Sequence, residues 1–181
     1  MEDCYSLSYS CGYCLEYLCI KMKYTPKKRF MQAAIEQAKK SAKNKEYAIG
    51  AVVVRNRKII ARSEHRRFRD KTPTAHAESL AISKACKKLK SIFIEDCILY
   101  TTHEPCCICT GAAAWARMKG IVYGVNITDM DNLARKRGSP RRSFYAPCNE
   151  ILKYEKPRTM FLVKGFMRKK CLKLFELYPK K

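Results

Sequence analysis

The chain has 181 residues, enough for one compact domain, and its 38 lysines and arginines against 16 acidic residues give a formal net charge of +22. Such an excess of positive charge favours binding of nucleic acid, nucleotides or an acidic membrane surface. The alternative is that the basic residues are merely solvated and bind no partner. Eleven cysteines, an odd count without a signal segment, argue against a disulfide-rich secreted protein and favour a reducing cytoplasm. We find no apolar run near the ~20 residues that a membrane span requires.

Residues 1–22 differ in composition from the rest of the chain. They are rich in cysteine and tyrosine, and the C-x-x-C spacing of Cys11 and Cys14 could bind zinc, but no other zinc-finger feature accompanies it. We therefore expect an N-terminal extension that is poorly ordered, followed by one folded domain over residues 24–181.

The first half of the domain is predicted as a helix, a hairpin and a second helix. Apolar residues recur at helical spacing from Lys27 to about Lys43. A β-branched run at 49–55, a turn and a second run at 58–65 predict a β-hairpin. A basic loop then leads through Pro73 into a helix with the sequence HAESLAISKACKKL.

The second half alternates between strands and helices. Residues 96–102 predict a third strand, Pro105 begins a helix to about Met118, and residues 120–126 predict a fourth strand. A polar, basic stretch follows to Pro147, and then RTMFLVKG predicts a fifth strand and FMRKKCLKLFELY a closing amphipathic helix. Helices beside strands three and four indicate an α/β sandwich with a mixed sheet.

The stretches TPTAHAE and EPCCICT carry candidate metal chemistry, and each would begin a helix directly after a loop. Cysteines at i and i+3 share one helical face, so Cys106 and Cys109 can bind a single ion, whereas Cys107 points away by about a quarter turn. The first helical turn also lowers thiol pKa. With His76 from the other helix start, the two thiolates supply three zinc ligands and leave a fourth position for water, as catalytic zinc sites do.

Glu78 lies two residues beyond His76, so we expect its carboxylate beside the ion and not on it. There it can take a proton from a water whose pKa zinc lowers to about 7, and return the proton to a leaving group. Alone, C-x-x-C also fits buried or redox thiols, and H-x-E fits an acidic helix start. Together, in this order, they form the H-x-E…P-C-x-x-C signature of the zinc deaminases.

Over residues 27–178 the sequence resembles the cytidine deaminase superfamily, and TTHEPCCICTGAAAWARMKGIVYG resembles the branch of guanine deaminases, cytosine deaminases and tRNA adenosine deaminases. The resemblance implies a three-layer α/β sandwich with a five-stranded mixed sheet flanked by helices, and commonly a homodimer. It implies zinc on the three ligands named above and Glu78 as proton shuttle. It also implies that water replaces a ring amine with release of ammonia, and that the backbone N–H of Ala77 contacts a substrate carbonyl.

The resemblance leaves the substrate open. Asp129 falls where guanine deaminases have an aspartate that contacts the base. The alternative is that Asp129 is the N-cap of a helix. His65 stands eleven residues before His76, where relatives usually carry an asparagine that contacts base or ribose, and a surface histidine at a strand end is the alternative. We favour a small nucleobase or nucleoside of guanine or cytosine type as substrate.

Basic loops support a tRNA-specific adenosine deaminase acting on the anticodon loop as the alternative. The run RRFRDK at 66–71 precedes the zinc histidine and a second run lies at 135–142, where both would flank the site and suit a phosphate backbone. Against this, the loop after the fourth strand lacks the glycine-rich pattern associated with tRNA adenosine deaminases. A non-catalytic, zinc-stabilised nucleic-acid-binding module is the third possibility, and Glu78 argues against it because a structural zinc site needs no acid–base group.

Overall fold

The computed structural model describes residues 24–136, 138, 146–155 and 160–178, so the predicted extension at 1–22 lies outside the described residues. Five strands form one sheet in the spatial order β2-β1-β3-β4-β5. The strands are β1 (Gly50–Arg55), β2 (Lys58–Glu64), β3 (Cys97–His103), β4 (Gly120–Val125) and β5 (Phe161–Val163). β1 pairs antiparallel with β2 and β3, whereas β3, β4 and β5 run parallel, which confirms the mixed sheet.

Helices cover both faces of this sheet. They are α1 (Lys28–Lys43), α2 (Ala77–Leu89), α3 (Cys107–Trp115), α4 (Ile127–Lys136), α5 (Cys148–Ile151) and α6 (Arg168–Leu172). Side chains alternate between the faces of a strand, and along β1 Ala51 and Val53 pack with α2 and α3, whereas Val52 and Val54 pack with α1 and α6. The three-layer α/β sandwich is therefore confirmed.

The two central parallel strands are buried along their whole length, because helices cover both faces there. Every residue of β3 and of β4 is buried, which explains why their sequences are nearly continuous apolar runs and not alternating ones. The connection from β3 to β4 is α3, which begins four residues after β3 ends. The start of α3 is thereby placed at the carboxyl end of β3, the edge at which open α/β sheets bind ligands.

The segment after β4, predicted only as a polar and basic stretch, is helical. Asn126 caps α4, since its Oδ1 accepts a hydrogen bond from the N–H of Asp129 at 2.8 Å. Met130 and Leu133, one helical turn apart, pack against the α1 side of the core. Ile127, Met130, Leu133 and Ala134 recur at helical spacing in this segment, so its sequence does carry a helical signal, and the packing fixes the conformation.

The closing segment is not the single amphipathic helix that the sequence predicts. The structure has the five-residue α6 followed by a 3-10 helix at Lys173–Leu177. Gly165 and Met167 both have positive φ, at 71° and 56°, so a right-handed helix cannot begin before Arg168. Within the part of the chain that the structure describes, no helix is both long enough and apolar enough to cross a membrane.

Candidate active site

Two helix starts meet at the candidate metal site. His76 is the N-cap of α2 and Cys106 is the N-cap of α3, and both have the extended backbone of that position. Neither side chain caps its own helix. The side chains of His76 and Cys106 can therefore bind a common ion. Cys109, the third residue of α3, lies on the same face of that helix as Cys106.

The three predicted ligands converge. The Nδ1 atom of His76 lies 3.4 Å from the Sγ of Cys106 and 3.5 Å from the Sγ of Cys109, and all the ligand atoms fall within 4.8 Å of one another. Two thiols and one imidazole, with no fourth protein ligand in this cluster of described residues, form the donor set of a catalytic zinc site. The half-buried Cys107 is not part of the cluster.

The two thiols of the cluster have opposite pKa shifts. A hydrogen bond with Cys109 is the largest cause that lowers the pKa of Cys106, to about 4, and His76 adds to it. The same bond, together with burial, raises the pKa of Cys109 well above its ordinary value. The cluster thus favours a thiolate shared by the two cysteines, and the thiolate is the form of cysteine that binds metal.

Glu78 lies in the first turn of α2 and is buried, with 4% of its surface exposed. Burial raises the pKa of its carboxyl to about 7 and outweighs the opposite effect of His76. Ala77 is the first residue of the same helix, where N–H groups have no carbonyl partner within the helix. Glu78 therefore lies beside the ligand His76, as its spacing predicts, and the contact of the Ala77 N–H with a substrate stays a prediction.

His65 also lies beside the ligand cluster, although it comes from the end of β2. Its ring stacks on that of His76 with centroids 5.3 Å apart, and the residue is only 2% exposed, so it is not a surface histidine. Its Nδ1 lies 3.1 Å from the carboxylate of Glu46. Burial lowers the pKa of His65 to about 4 and outweighs the opposite effect of Glu46.

Asp129 has a different partner in the structure. Its Oδ2 accepts a hydrogen bond from the Nε of Arg168 at 2.8 Å, and the Arg168 guanidinium is the main cause that lowers the pKa of the Asp129 carboxyl. The alternative that Asp129 caps the helix is wrong, because Asn126 is the cap. Contact between Asp129 and a base stays a prediction, and a base would have to share this carboxylate with Arg168.

Two buried glutamates near the site have partners that the sequence pattern did not indicate. Glu46 is fully buried and holds His65. Glu104 accepts the N–H groups of Ile127 and Cys148, each at 2.9 Å, and so ties the starts of α4 and α5 to the end of β3. The only signal in the sequence was an acidic residue beside an apolar run, which does not reveal partners that are distant in the chain.

An aromatic wall, formed by Tyr47, Phe68 and Tyr178, adjoins His65. The ring of Tyr47 lies 5.5 Å from that of His65 and just over 5 Å from the other two rings. Arg67 of the basic loop stacks over Tyr47 and Phe68. Aromatic faces of this kind suit the stacking of a nucleobase.

The rest of the basic loop faces elsewhere. Arg66 and Arg69 line a separate groove between α1, β2 and α2. In the second basic run, 135–142, the residues at 135 and 136 end α4, whereas those at 137 and 139–142 lie outside the described residues. Within the basic run at 66–71, Arg67 therefore lies against the aromatic wall, whereas Arg66 and Arg69 line the groove.

The family model described as the cytidine and deoxycytidylate deaminase zinc-binding region matches residues 24–125, more than half of the chain, and spans all the candidate zinc ligands. The chain belongs to this family. A solved structure from studies of A-to-I editing by tRNA:A34 deaminases at the wobble position of transfer RNA superposes on this deaminase-family chain with a TM-score of 0.63 and 27% identity, covering 82% of this chain and 99% of the other.

Curated relatives of this deaminase-family chain have two different substrates in their names. The guanine deaminase of Bacillus subtilis (strain 168) is 49% identical over 80 residues, 44% of this chain and 51% of that protein. The tRNA-specific adenosine deaminase of Aquifex aeolicus (strain VF5) is 36% identical over 97 residues, 54% of this chain and 64% of that protein. The chain thus spans between about half and just under two thirds of the length of these curated relatives.

Proposed function

We propose that this chain is a zinc-dependent hydrolytic deaminase that converts an amino group on a small nucleobase or nucleoside, of guanine or cytosine type, to a carbonyl. The observation that carries the proposal is the convergence of His76, Cys106 and Cys109 with a buried carboxylate, Glu78, beside them. A zinc site that only stabilised the fold would prefer a fourth protein ligand and would not need a buried acid next to it. This argument also disfavours a non-catalytic nucleic-acid-binding module.

Each residue of the cluster has a role in the proposed reaction. The two thiols and His76 would hold the zinc, which when bound polarises water and lowers its pKa to about 7. Glu78 would accept a proton from the attacking water and deliver it to the leaving amine. The water oxygen replaces the nitrogen on the ring carbon, and ammonia leaves. The backbone N–H of Ala77 would orient a substrate carbonyl at the start of α2.

Ammonia release from a panel of substrates tests this proposal. We expect the zinc-loaded protein to turn over guanine, cytosine or cytidine, and not an anticodon stem-loop of tRNA. Deoxycytidylate and adenosine complete the panel, because they separate base identity from the presence of sugar and phosphate. Turnover of the stem-loop alone would overturn the small-substrate proposal in favour of the alternative, and turnover of none of the compounds would contradict both.

The alternative, a tRNA-specific adenosine deaminase, is supported by a cationic groove of about 420 Å³ beside β2. Its one lining carboxylate, Glu64, is already paired with two of the lining cations. Burial, followed by the charge of Arg66, lowers the pKa of Lys84, as expected where cations crowd together. The groove is lined by the cations Lys40, Arg62, Arg66, Arg69 and Lys84. Arg66 is paired with Asp70, and a phosphate backbone would offset the positive charge that remains on the other cations.

If RNA occupies the groove, the double variant Arg62→Ala/Lys84→Ala should weaken binding of an anticodon stem-loop and flatten its salt dependence. Two lost phosphate contacts should reduce the slope of log K against log salt concentration by about 1.4 to 1.8. Fluorescence anisotropy over a salt series measures this slope. The matched control is Lys87→Ala/Lys88→Ala, which removes the same charge from exposed positions of α2 outside the groove. Equal slopes for the two double variants would contradict RNA binding in the groove.

Two further parts of the proposal concern assembly and location. Ile108 and Trp115, two helical turns apart on α3, are 48% and 85% exposed, and this apolar face supports the predicted homodimer.

The cysteines among the described residues are free thiols, which supports the predicted reducing cytoplasm.

A further inference from the structure

The loop between β2 and α2 carries three arginines, and they differ in their partners. Arg66 donates a hydrogen bond to Asp70 at 2.9 Å, and Arg69 donates one to Glu64 at 2.7 Å. The guanidinium of Arg67 forms no hydrogen bond or salt bridge with any residue that the structure describes. Among these three arginines, Arg67 is therefore the one whose positive charge no described carboxylate pairs with.

Aromatic rings hold the half-buried side chain of Arg67. Its Cζ lies 5.5 Å from the ring centroid of Tyr47 and 5.2 Å from that of Phe68. Contact with aromatic faces restricts the conformations of a guanidinium but gives its N–H donors no acceptor. The Arg67 side chain is thus ordered before a ligand binds, and its N–H donors form the fork that matches the oxygens of a phosphate.

Hydrogen bonds also fix the backbone next to Arg67. The buried carboxylate of Glu46 accepts the N–H of Phe68 at 3.2 Å and the N–H of Arg69 at 2.6 Å. The carbonyl of Arg67 itself accepts the N–H of Thr72 at 3.2 Å. Because this part of the loop is already ordered, a ligand that binds the guanidinium loses little free energy to ordering the backbone.

Arg67 lies at the far end of a row of rings that begins at the candidate zinc site. The His65 ring stacks on that of His76 with centroids 5.3 Å apart, and the Tyr47 ring lies 5.5 Å from that of His65. Arg67 lies over the Tyr47 ring. A nucleotide has its parts in a matching order, with the amine-bearing ring first, then the sugar and then the phosphate. A base that reacts at the zinc site and lies along the aromatic wall would direct its phosphate toward Arg67.

We propose that Arg67 binds a phosphate of the substrate, so that the site takes a mononucleotide in preference to the free base or the nucleoside. This inference rests on the proposed deaminase function and adds a phosphate to its substrate. The fork of a guanidinium can bind two phosphate oxygens at once. A phosphate would offset the charge of Arg67, whereas a nucleoside would leave that charge uncompensated.

The phosphate of a mononucleotide and that of an RNA chain have the same chemistry. We assign the mononucleotide because Arg66 and Arg69, the neighbouring arginines of the loop, line the separate groove. They do not extend the row of rings toward a second phosphate beside Arg67.

Pairs of ligands that share a base isolate the contribution of the phosphate. In the zinc-loaded Glu78→Ala protein, which should bind its ligand without turnover, calorimetry compares guanosine with guanylate, cytidine with cytidylate, and deoxycytidine with deoxycytidylate. In at least one pair we expect the nucleotide to bind about ten- to a hundredfold more tightly than the nucleoside, the gain expected for a hydrogen bond between charged groups.

Variants at Arg67 in the same background test whether this residue causes the preference. Arg67→Gln should reduce the ratio of nucleotide to nucleoside affinity to near one, because the amide has no charge. Arg67→Lys, which keeps the charge but loses the fork, should restore part of the ratio. The matched control is Arg57→Gln, the same chemical change at an exposed position of the turn between β1 and β2, and it should leave the ratio unchanged.

Several results would overturn the inference. A ratio near one in every pair with Arg67 in place would do so, whether or not the variants fold. A ratio that Arg67→Gln does not lower would show that another group binds the phosphate. If Arg67→Gln weakened binding of an anticodon stem-loop but of no mononucleotide, the phosphate at Arg67 would belong to an RNA chain and not to a small substrate.

The two hypotheses fail in different ways. A protein that binds a nucleotide through Arg67 but releases ammonia from no substrate would refute the proposed catalysis and leave the role of Arg67 intact. A protein that deaminates a nucleoside with the same kcat/KM as its nucleotide would support the proposed function and refute the selection by Arg67.

Discussion

Replacing Glu78 with alanine should abolish ammonia release while about one zinc ion per chain stays bound. The carboxylate lies next to His76 and is buried, so we expect it to move protons and not to hold the metal. Loss of a general acid–base group slows a reaction by on the order of a hundred- to ten-thousand-fold. Ammonia release with the best substrate of the panel, and zinc content by mass spectrometry, measure the two quantities on the same preparation.

The control for this experiment is Glu95→Ala, which removes a carboxylate from an exposed loop between α2 and β3. We expect it to leave both ammonia release and zinc content unchanged. Undiminished ammonia release in Glu78→Ala would rule out the proposed proton transfer. Loss of zinc from Glu78→Ala would instead show that the carboxylate helps to hold the ion, contrary to the three-ligand assignment.

Alanine at Cys106 or at Cys109 should empty the zinc site, whereas alanine at Cys107 should not. The Sγ atoms of Cys106 and Cys109 lie 3.4 and 3.5 Å from Nδ1 of His76, and the removal of either thiol leaves two ligands, too few for tight binding of zinc. We expect zinc per chain to fall from about one to near zero in the first two variants, and ammonia release to fall with it. Metal analysis after exhaustive dialysis measures this.

Cys107→Ala is the matched control, because it makes the same chemical change in the same helical turn. Its side chain is half-buried and outside the ligand cluster, so zinc content and ammonia release should stay at the wild-type level. If Cys107→Ala lost its zinc while Cys106→Ala kept it, the ligand assignment from spacing and geometry would be wrong. That outcome would mean that α3 begins one residue away from the position described, with Cys107 facing the metal in place of Cys106.

Local patterns allowed the ligand cluster and the mixed sheet to be predicted from the sequence. Cysteines at i and i+3 share a helical face in any helix, so the spacing of Cys106 and Cys109 sufficed. His76 and Glu78 lie in one short stretch, and the proline before Cys106 indicates a helix start. The two central strands, β3 and β4, were predictable because they are buried on both faces, which leaves a nearly continuous apolar signal.

Weak or interrupted local signals explain where the prediction of elements was wrong. In α4 the apolar residues Met130 and Leu133 are spaced as in a helix, but the helix has only ten residues and leads into a basic run, so the segment was interpreted as a polar stretch. In the closing segment the apolar spacing favours one helix, but positive φ at Gly165 and Met167 delays its start to Arg168, and the segment continues as a 3-10 helix from Lys173. Such backbone conformations depend on how the segment packs against β4 and α1, and no periodicity reports them.

By itself the sequence determined the family signature, the three candidate ligands and the acid beside them, because each of the two stretches H-x-E and P-C-x-x-C is recognised from residues a few positions apart. Only the tertiary structure decided that Glu46, nineteen residues before His65 in the chain, orients the imidazole beside His76. It also decided that one basic run divides between an aromatic wall and a groove. Both depend on hydrogen bonds and packing between distant segments, and these form only when the sheet brings the segments together.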